Sequence, residues 1–273
     1  MEKSEIDSMV TNPISKGGIF FSCHEDKHRV TEYFIPEHLL VHVHQGEIIV
    51  QEADRTYSIT KGQTALFARN QLAKFTKVPD GDAACKSITF FFYQSFLQQH
   101  FDSNRLQTIA HKGTKLLQFG PHPLLNSLFN SVLPYYDFAG ELSENLIAIK
   151  LNEALTILRE ISHSVDDILR DLSEPGKLDI SDFMDKNYVF NIPLRRFAYL
   201  TGRSLSTFKR DFQKAYSVPP QKWLHQKRLE QAHYLIAEKK HKPSEVYLQV
   251  GFENLSHFSA SFKKAFGYNV SSL

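Results

Sequence analysis

Short apolar runs, broken every few residues by polar turns, occupy the front of the chain from Gly18 to about Gln94. They include Leu39-Leu40-Val41-His42-Val43, Glu47-Ile48-Ile49-Val50-Gln51, Thr56-Tyr57-Ser58-Ile59, Thr64-Ala65-Leu66-Phe67 and Lys86-Ser87-Ile88-Thr89-Phe90-Phe91-Phe92-Tyr93, punctuated by Gln45-Gly46, Lys61-Gly62 and Pro79-Asp80-Gly81. Strands this short and closely spaced predict a small β-barrel or sandwich. Such a barrel either leaves a ligand-sized mouth or is filled by its own side chains. After Pro121 the period becomes helical. Leu124, Leu125, Leu128, Phe129, Val132 and Leu133 form one amphipathic stretch that ends at Pro134, and Ser143 to Ile161 forms a second with a wide apolar stripe. A stripe that wide covers the barrel, a second copy of the chain, or both. Leu146, Ile149, Leu151, Leu155 and Leu158 are the candidates for a dimer seam. Ser162 to Lys177 is polar and acidic, contains Pro175-Gly176, and reads as a linker.

Beyond Asp179 one pattern is spelled twice. An apolar helix (Phe197 to Leu200, then Val246 to Val250) runs into a glycine (Gly202, Gly251), then a short polar turn, then a helix whose Phe residues recur at i and i+4: Phe208 and Phe212, Phe258 and Phe262. Each glycine sits where the chain must reverse sharply, which favours a positive φ. Ser204 and Ser256 are placed to cap the second helix of each copy. Pro193 and Pro243 suit first helical turns, and a long connector is expected from Gln221 to Glu238. This is the arrangement of two helix-turn-helix motifs.

Charge supports it. The net charge is only +2, yet Lys177 to Leu273 holds 16 Lys and Arg against 8 Asp and Glu, while the front holds 16 against 22. A basic tail on an acidic front suits a polyanion-binding module with a separate control domain. Hydrophobic content of 42% and charged content of 23% are those of an ordinary globular protein. No apolar run reaches the ~20 residues needed to span a bilayer, and Met1 to Val10 is charged, so a cytoplasmic location without membrane contact is expected. Cys23 and Cys85 are too few for a disulfide framework or a zinc site.

Gly251-Phe252-Glu253-Asn254-Leu255-Ser256-His257-Phe258-Ser259, followed by Phe262-Lys263-Lys264-Ala265-Phe266-Gly267, resembles the signature of the AraC/XylS family of bacterial transcription regulators. The first copy, with Ser204, Ser206, Phe208, Arg210 and Phe212, then Pro220, Trp223-Leu224, Arg228-Leu229 and Ala232, is similar to that family's first module and connector. The resemblance spans roughly Asp179 to Leu273. More loosely, the front resembles the cupin-like sensor domains of the family, in particular the ExsA-type subgroup. It implies an α+β two-domain protein: a cupin-like barrel sensor over 1–115, a helical dimerisation or packing segment over 116–163, a linker over 164–177, and an all-α DNA-binding domain over 178–273. It further implies double-stranded DNA, RNA polymerase and a second copy as partners, with activation of transcription as the family's bias. Two departures stand out: Tyr247 stands where the family usually has a small Ala, and Val270 where Pro is usual after Gly267; with Leu273 as the last residue, the family's short closing helix is expected to be nearly absent.

An α-helix fits the major groove, and family-like docking places two recognition helices about one turn, ~34 Å, apart. The candidates for base contact are Ser206, Lys209 and Arg210 in the first helix and Ser256, His257 and Ala260 in the second. Arg210 is also placed to meet phosphate or Asp211. Ser204, Lys214, Lys263 and Lys264 are candidates for phosphate contact. Three alternatives remain. His42 and His44 share one strand face as metal ligands would, but Gly62 to Leu72 offers no further His, and no phosphate loop or nucleophile elbow is present, so neither a cofactor nor catalysis is expected. His42, His44, Tyr57, Phe67 and Phe91 can line a barrel mouth, though none is assigned to a ligand. Control by a small molecule or by a protein partner is left open.

Overall fold

The computed structural model describes residues 14–24, 29–53, 55–101, 115–138 and 140–273. The expectations for Met1 to Val10, and for the end of the barrel segment between Phe101 and Lys115, lie outside the described residues. The chain forms two units, Met1–Glu174 and Pro175–Leu273.

In the first unit, β1 (Ile14–Lys16), β2 (Ile19–His24), β4 (His38–Gln45), β7 (Thr64–Phe67), β9 (Cys85–Phe92) and β10 (Leu116–Phe119) make a sheet in the order β1-β2-β9-β4-β7-β10. A second sheet holds β3 (Arg29–Ile35), β8 (Gln71–Val78), β5 (Glu47–Gln51) and β6 (Thr56–Thr60), in the order β3-β8-β5-β6. Each paired neighbour is antiparallel, as in the Leu39↔Phe91 and Val41↔Thr89 register of β4 on β9. Strand β4 is apolar on both faces because its alternation serves two cores. Leu39, Val41 and Val43 join Ile35, Ile48, Phe75 and Phe91 between the sheets. Leu40 faces the other way with Ile88 and Phe90, toward Leu125, Leu128 and Phe129 of the helical layer.

That layer comprises α1 (Gln94–His100), α2 (Pro123–Val132), α3 (Pro134–Asp137), α4 (Glu144–Ile161) and α5 (Val165–Leu169). Ser143 caps α4 by accepting the Leu146 N–H at 3.2 Å. The stripe of α4 is largely consumed at home. Leu151, Leu155 and Leu158 are buried in the core of their own unit, so these three are not available to a dimer seam. Leu146 is half-buried and Ile149 is 59% exposed.

The acidic stretch read as linker is also corrected in part. Val165, Ile168 and Leu169 recur at i, i+3 and i+4 and are buried, so the segment coils into α5 against the same core. The tail after it is stitched to the barrel: His38 Nε2 lies 3.1 Å from the Asp171 carbonyl, Arg69 Nη1 donates to the Leu172 carbonyl at 2.8 Å, and Asn70 Nδ2 donates to that of Ser173 at 3.3 Å. Burial pushes the His38 ring down to about 4.

The second unit contains α6 (Ile180–Asn187), α7 (Leu194–Leu200), α8 (Leu205–Tyr216), α9 (Pro220–Ala237), α10 (Pro243–Gln249) and α11 (Leu255–Phe266). A short 3-10 turn follows at Val270–Ser272. Val270 is buried against the cluster of Leu229, Ile236, Val246, Phe258 and Phe262, so it supplies an apolar plug where only the loss of a closing helix was expected. Tyr247 packs half-buried on this cluster. Among the described residues, no helix is long and apolar enough to cross a membrane.

Candidate nucleic-acid interface

Helices α7 and α8 form the first turn-linked pair, and α10 and α11 the second. Gly202 has φ +65° and Gly251 φ +88°. A Cβ at Gly202 would fall 2.6 Å from the Gly176 carbonyl carbon, and one at Gly251 would fall 2.7 Å from the Val189 carbonyl oxygen. Both turns therefore need glycine twice over, for the dihedral and for a neighbouring backbone.

The caps differ. Ser204 accepts the Thr207 N–H at 3.2 Å. In the second pair the cap is Asn254, which accepts the His257 N–H at 3.0 Å. The expectation for Ser256 is thus corrected: the helix begins at Leu255, two residues earlier than a Ser256 cap would set it, which puts Ser256 inside the first turn. At the far ends, Ser217 (φ 58°) and Gly267 (φ 85°) close α8 and α11 in left-handed conformations.

The buried faces are aromatic. Phe208, Phe212, Phe258 and Phe262 are fully buried. In the first pair Phe212 lies 5.5 Å, and Tyr216 4.6 Å, from Trp223 of α9 between ring centroids. In the second, Phe262 lies tilted 4.6 Å from Phe266 and stacks on His233 at 6.0 Å.

The opposite faces are exposed. Ser204, Ser206, Lys209, Arg210 and Lys214 lie on the surface of the first pair, and Ser256, His257, Ala260, Lys263 and Lys264 on that of the second. Arg210 is engaged by its neighbour, with Nε and Nη2 both 3.3 Å from Asp211 Oδ1. The other oxygen of Asp211 accepts from Arg203 Nε at 3.2 Å. The Arg203 guanidinium, aided by Arg210, holds the Asp211 carboxyl below its ordinary range. Arg203 itself is anchored by donating to the carbonyls of Leu178 and Thr201, at 2.8 and 2.6 Å. His257 sits 6.4 Å from His225 of α9; desolvation, with the nearby His257 second, lowers the His225 pKa.

Leu205 and Leu255 were not singled out from sequence. They occupy the first position of α8 and α11 and are 39% and 40% exposed. An unburied Leu at the same place in both copies was visible in the repeat itself, once the copies are aligned on their Phe pairs.

In the barrel, His42 Nδ1 lies 3.0 Å from the Thr64 hydroxyl, and its ring stacks on Phe129 at 4.3 Å. Burial depresses its pKa to about 4. Among the described residues, no three His, Cys, Asp or Glu side chains gather as metal ligands do. A cleft of this unit lies elsewhere, between the sheets. Its cavity volume is about 60 Å³, and it is lined by Phe20, Phe34, Leu39, Phe75 and Phe91, with Lys77, Ser22, Ser87 and Thr89 as polar members. Lys77 is buried and its Nζ donates to Ser22 Oγ. Of the five residues proposed for a barrel mouth, only Phe91 lines this cleft. His42 turns to the helices, and the Tyr57 hydroxyl donates to Glu52 Oε1 at 2.9 Å.

Paired helix-turn-helix motifs with exposed basic second helices, joined in one chain to a β-rich unit, define a DNA-binding regulator with an attached control domain. Residues 197–273 match the family described as a helix-turn-helix domain, and residues 38–165 match the ExsA N-terminal regulatory domain. The chain is similar to the HTH-type transcriptional regulator ExsA of Pseudomonas aeruginosa, 25% identical across 82% of this chain and 81% of that protein. It is also similar to the virulence regulon transcriptional activator VirF of Yersinia enterocolitica, 27% identical across 82% of this chain and 83% of that one. A crystal structure of a ToxT variant from Vibrio cholerae overlaps 93% of this chain and 96% of that chain, with a TM-score of 0.44 and 16% identity. The chain belongs to the AraC family: an AraC-type DNA-binding transcription regulator with an ExsA-type N-terminal regulatory domain.

Proposed function

We propose that the chain activates transcription by laying α8 and α11 into two successive major-groove segments of one duplex, with RNA polymerase as the downstream partner. The observation that carries this reading is the mirrored exposure of polar residues on α8 and α11, each opposite a buried Phe pair. Lys209 and Arg210 stand in mid-helix, where a side chain meets base edges, with Ser206 one turn earlier. Ser256, His257 and Ala260 take the matching face of α11, where Ala260 can offer only a methyl contact to thymine. Ser204, Lys214, Lys263 and Lys264 fall near helix ends and meet phosphate. Activation is carried over from the VirF relative, and a cytoplasmic site of action goes with contact to the chromosome. Hydroxyl-radical footprinting on duplexes selected by the full chain tests the reading. Two protected patches about one helical turn apart on one face are expected; a single patch, or none at moderate salt, refutes it.

Two features of the front unit bear on control. Leu146 and Ile149 remain on the outer side of α4, with Leu124 of α2 also 48% exposed, which supports a seam with a second copy of the chain. Sedimentation of Ile149→Asp against the unaltered chain tests it. The cleft between the sheets favours a small-molecule effector over a protein one: an apolar slot with a buried ammonium suits a slender apolar molecule with an anionic head. Loss of effector response in Lys77→Met, with folding intact, is the expected result.

A further inference from the structure

The two recognition helices are joined covalently by α9, but a second connection crosses between them, and it centres on Arg228. This residue is half-buried near the middle of α9, and its guanidinium reaches both modules. Nε donates to the Tyr188 carbonyl at 2.9 Å and Nη2 to the Phe190 carbonyl at 2.8 Å, both in the loop that leads into α7. Nη1 donates to the Gly251 carbonyl at 3.1 Å, inside the turn between α10 and α11, and to Asn191 Oδ1 at 3.3 Å. The same loop and turn meet directly. Asn191 Nδ2 donates to Glu253 Oε1 at 2.7 Å, and the Gly251 Cα approaches so closely that a Cβ would lie 2.7 Å from the Val189 carbonyl and 3.1 Å from the Arg228 guanidinium.

We propose that Arg228 is a positioning residue for DNA reading: its fork ties the entry loop of the first motif to the turn of the second and so fixes the spacing at which α8 and α11 meet the duplex. This rests on the two-groove reading above. The reasoning is geometric. A single helix between two small motifs restrains their separation, but it leaves each able to roll about its own contact with that helix. The packing of α10 and α11 on α9 is apolar, through Leu229, Ala232, Ile236, Val246 and Phe258, and apolar contacts carry no direction. Donors from one planar guanidinium to carbonyls on both sides do carry direction, because the fork is rigid and its angles are fixed. A lysine keeps the charge but lacks the fork, so it cannot hold three carbonyls and an amide oxygen in fixed relation.

The test uses the full chain and duplexes selected from a random pool by the unaltered protein, into which two base pairs are then inserted between the two protected grooves. The unaltered chain is expected to lose about tenfold or more in affinity on insertion, because base contacts of one helix are forfeited. Arg228→Lys is expected to bind the original duplex more weakly and to lose less than about threefold on insertion, since a loosened pair tolerates either spacing. Thermal melting followed by Trp223 fluorescence reports whether each variant is folded. If Arg228→Lys does not fold, Asn191→Ala, which removes the cross-link to Glu253 and the amide oxygen that Arg228 Nη1 meets, is read the same way, with a smaller flattening expected. A folded variant with the same steep spacing dependence as the unaltered chain overturns the proposal. If the unaltered chain itself shows no dependence on spacing, the two-groove reading has failed and the role of Arg228 falls with it.

Discussion

The two helix-turn-helix motifs share a skeleton and differ in what they display. Both turn on a glycine whose Cβ would strike a neighbouring backbone, both bury a Phe pair, and both end in a left-handed residue. The first, however, presents Lys209 and Arg210 in mid-helix and is braced by a buried arginine paired with Asp211. The second has Ser259 and Ala260 at the matching positions, with its two lysines confined to the last turn. One skeleton thus exposes charge in mid-helix in the first motif and only toward the helix end in the second. The difference implies a division of labour in which α8 discriminates sequence and α11 mainly fixes the register.

The largest effect expected from challenging this pairing is shared by both motifs. Phe212→Ala and Phe262→Ala should each destabilise the DNA-binding unit by about 3–5 kcal/mol, as truncation of a buried Phe does. Only Phe212→Ala should disturb Trp223 fluorescence in the folded protein, since Phe212 contacts that ring; equal disturbance by both would mean that the motifs are not separate packing units. Next come the turns. Gly202→Ala and Gly251→Ala should cost about 1–3 kcal/mol or more in denaturant unfolding, because strain at a positive φ is compounded by a backbone clash.

The display itself is tested by Lys209→Ala, which should lose about 1–3 kcal/mol of discrimination at one base pair. Lys264→Ala should instead weaken all duplexes alike and lower the salt slope by about one. A uniform loss for Lys209→Ala in a titration over variant sites would erase the asymmetry. The caps follow: Ser204→Ala and Asn254→Ala should each cost about 1 kcal/mol, and Ser256→Ala much less. The smallest effect is acidic. The Asp211 carboxyl is held below its ordinary 3.8 in the folded state, so its contribution to stability is complete above that value and is lost as pH falls through the lowered one. Acid titration should therefore show a change at Trp223 below pH 3.8 that Asp211→Asn removes; an unaltered acid profile in that variant would detach Asp211 from the first motif.

How much of this was legible in the chain follows from the range of each interaction. The paired motifs could be read because glycine, Phe period and charge are local signals. The two-sided burial of β4 was foreshadowed by its nearly unbroken apolar run. The cap of α11 was misread because Asn254 and Ser256 are both competent and only the helix start decides between them. Val165, Ile168 and Leu169 were masked by Asp166 and Asp167, whose charge dominated the reading of that segment. Leu151, Leu155 and Leu158 could not be divided from Ile149 by periodicity, because a wide stripe does not reveal where the barrel stops. Arg203 and Arg228 were the least visible, since they act through carbonyls up to 40 residues away, and a carbonyl carries no sequence identity.

Two guanidinium groups share the single carboxylate of Asp211, and they do so unequally: Arg203 is sunk into the turn, whereas Arg210 is 65% exposed. On the two-groove reading proposed above, a duplex that draws Arg210 outward leaves Asp211 with its inner partner. The outer arm can therefore exchange a carboxylate for a phosphate or a guanine without loosening the motif that carries it, which makes Arg210 a detachable hand on a fixed wrist.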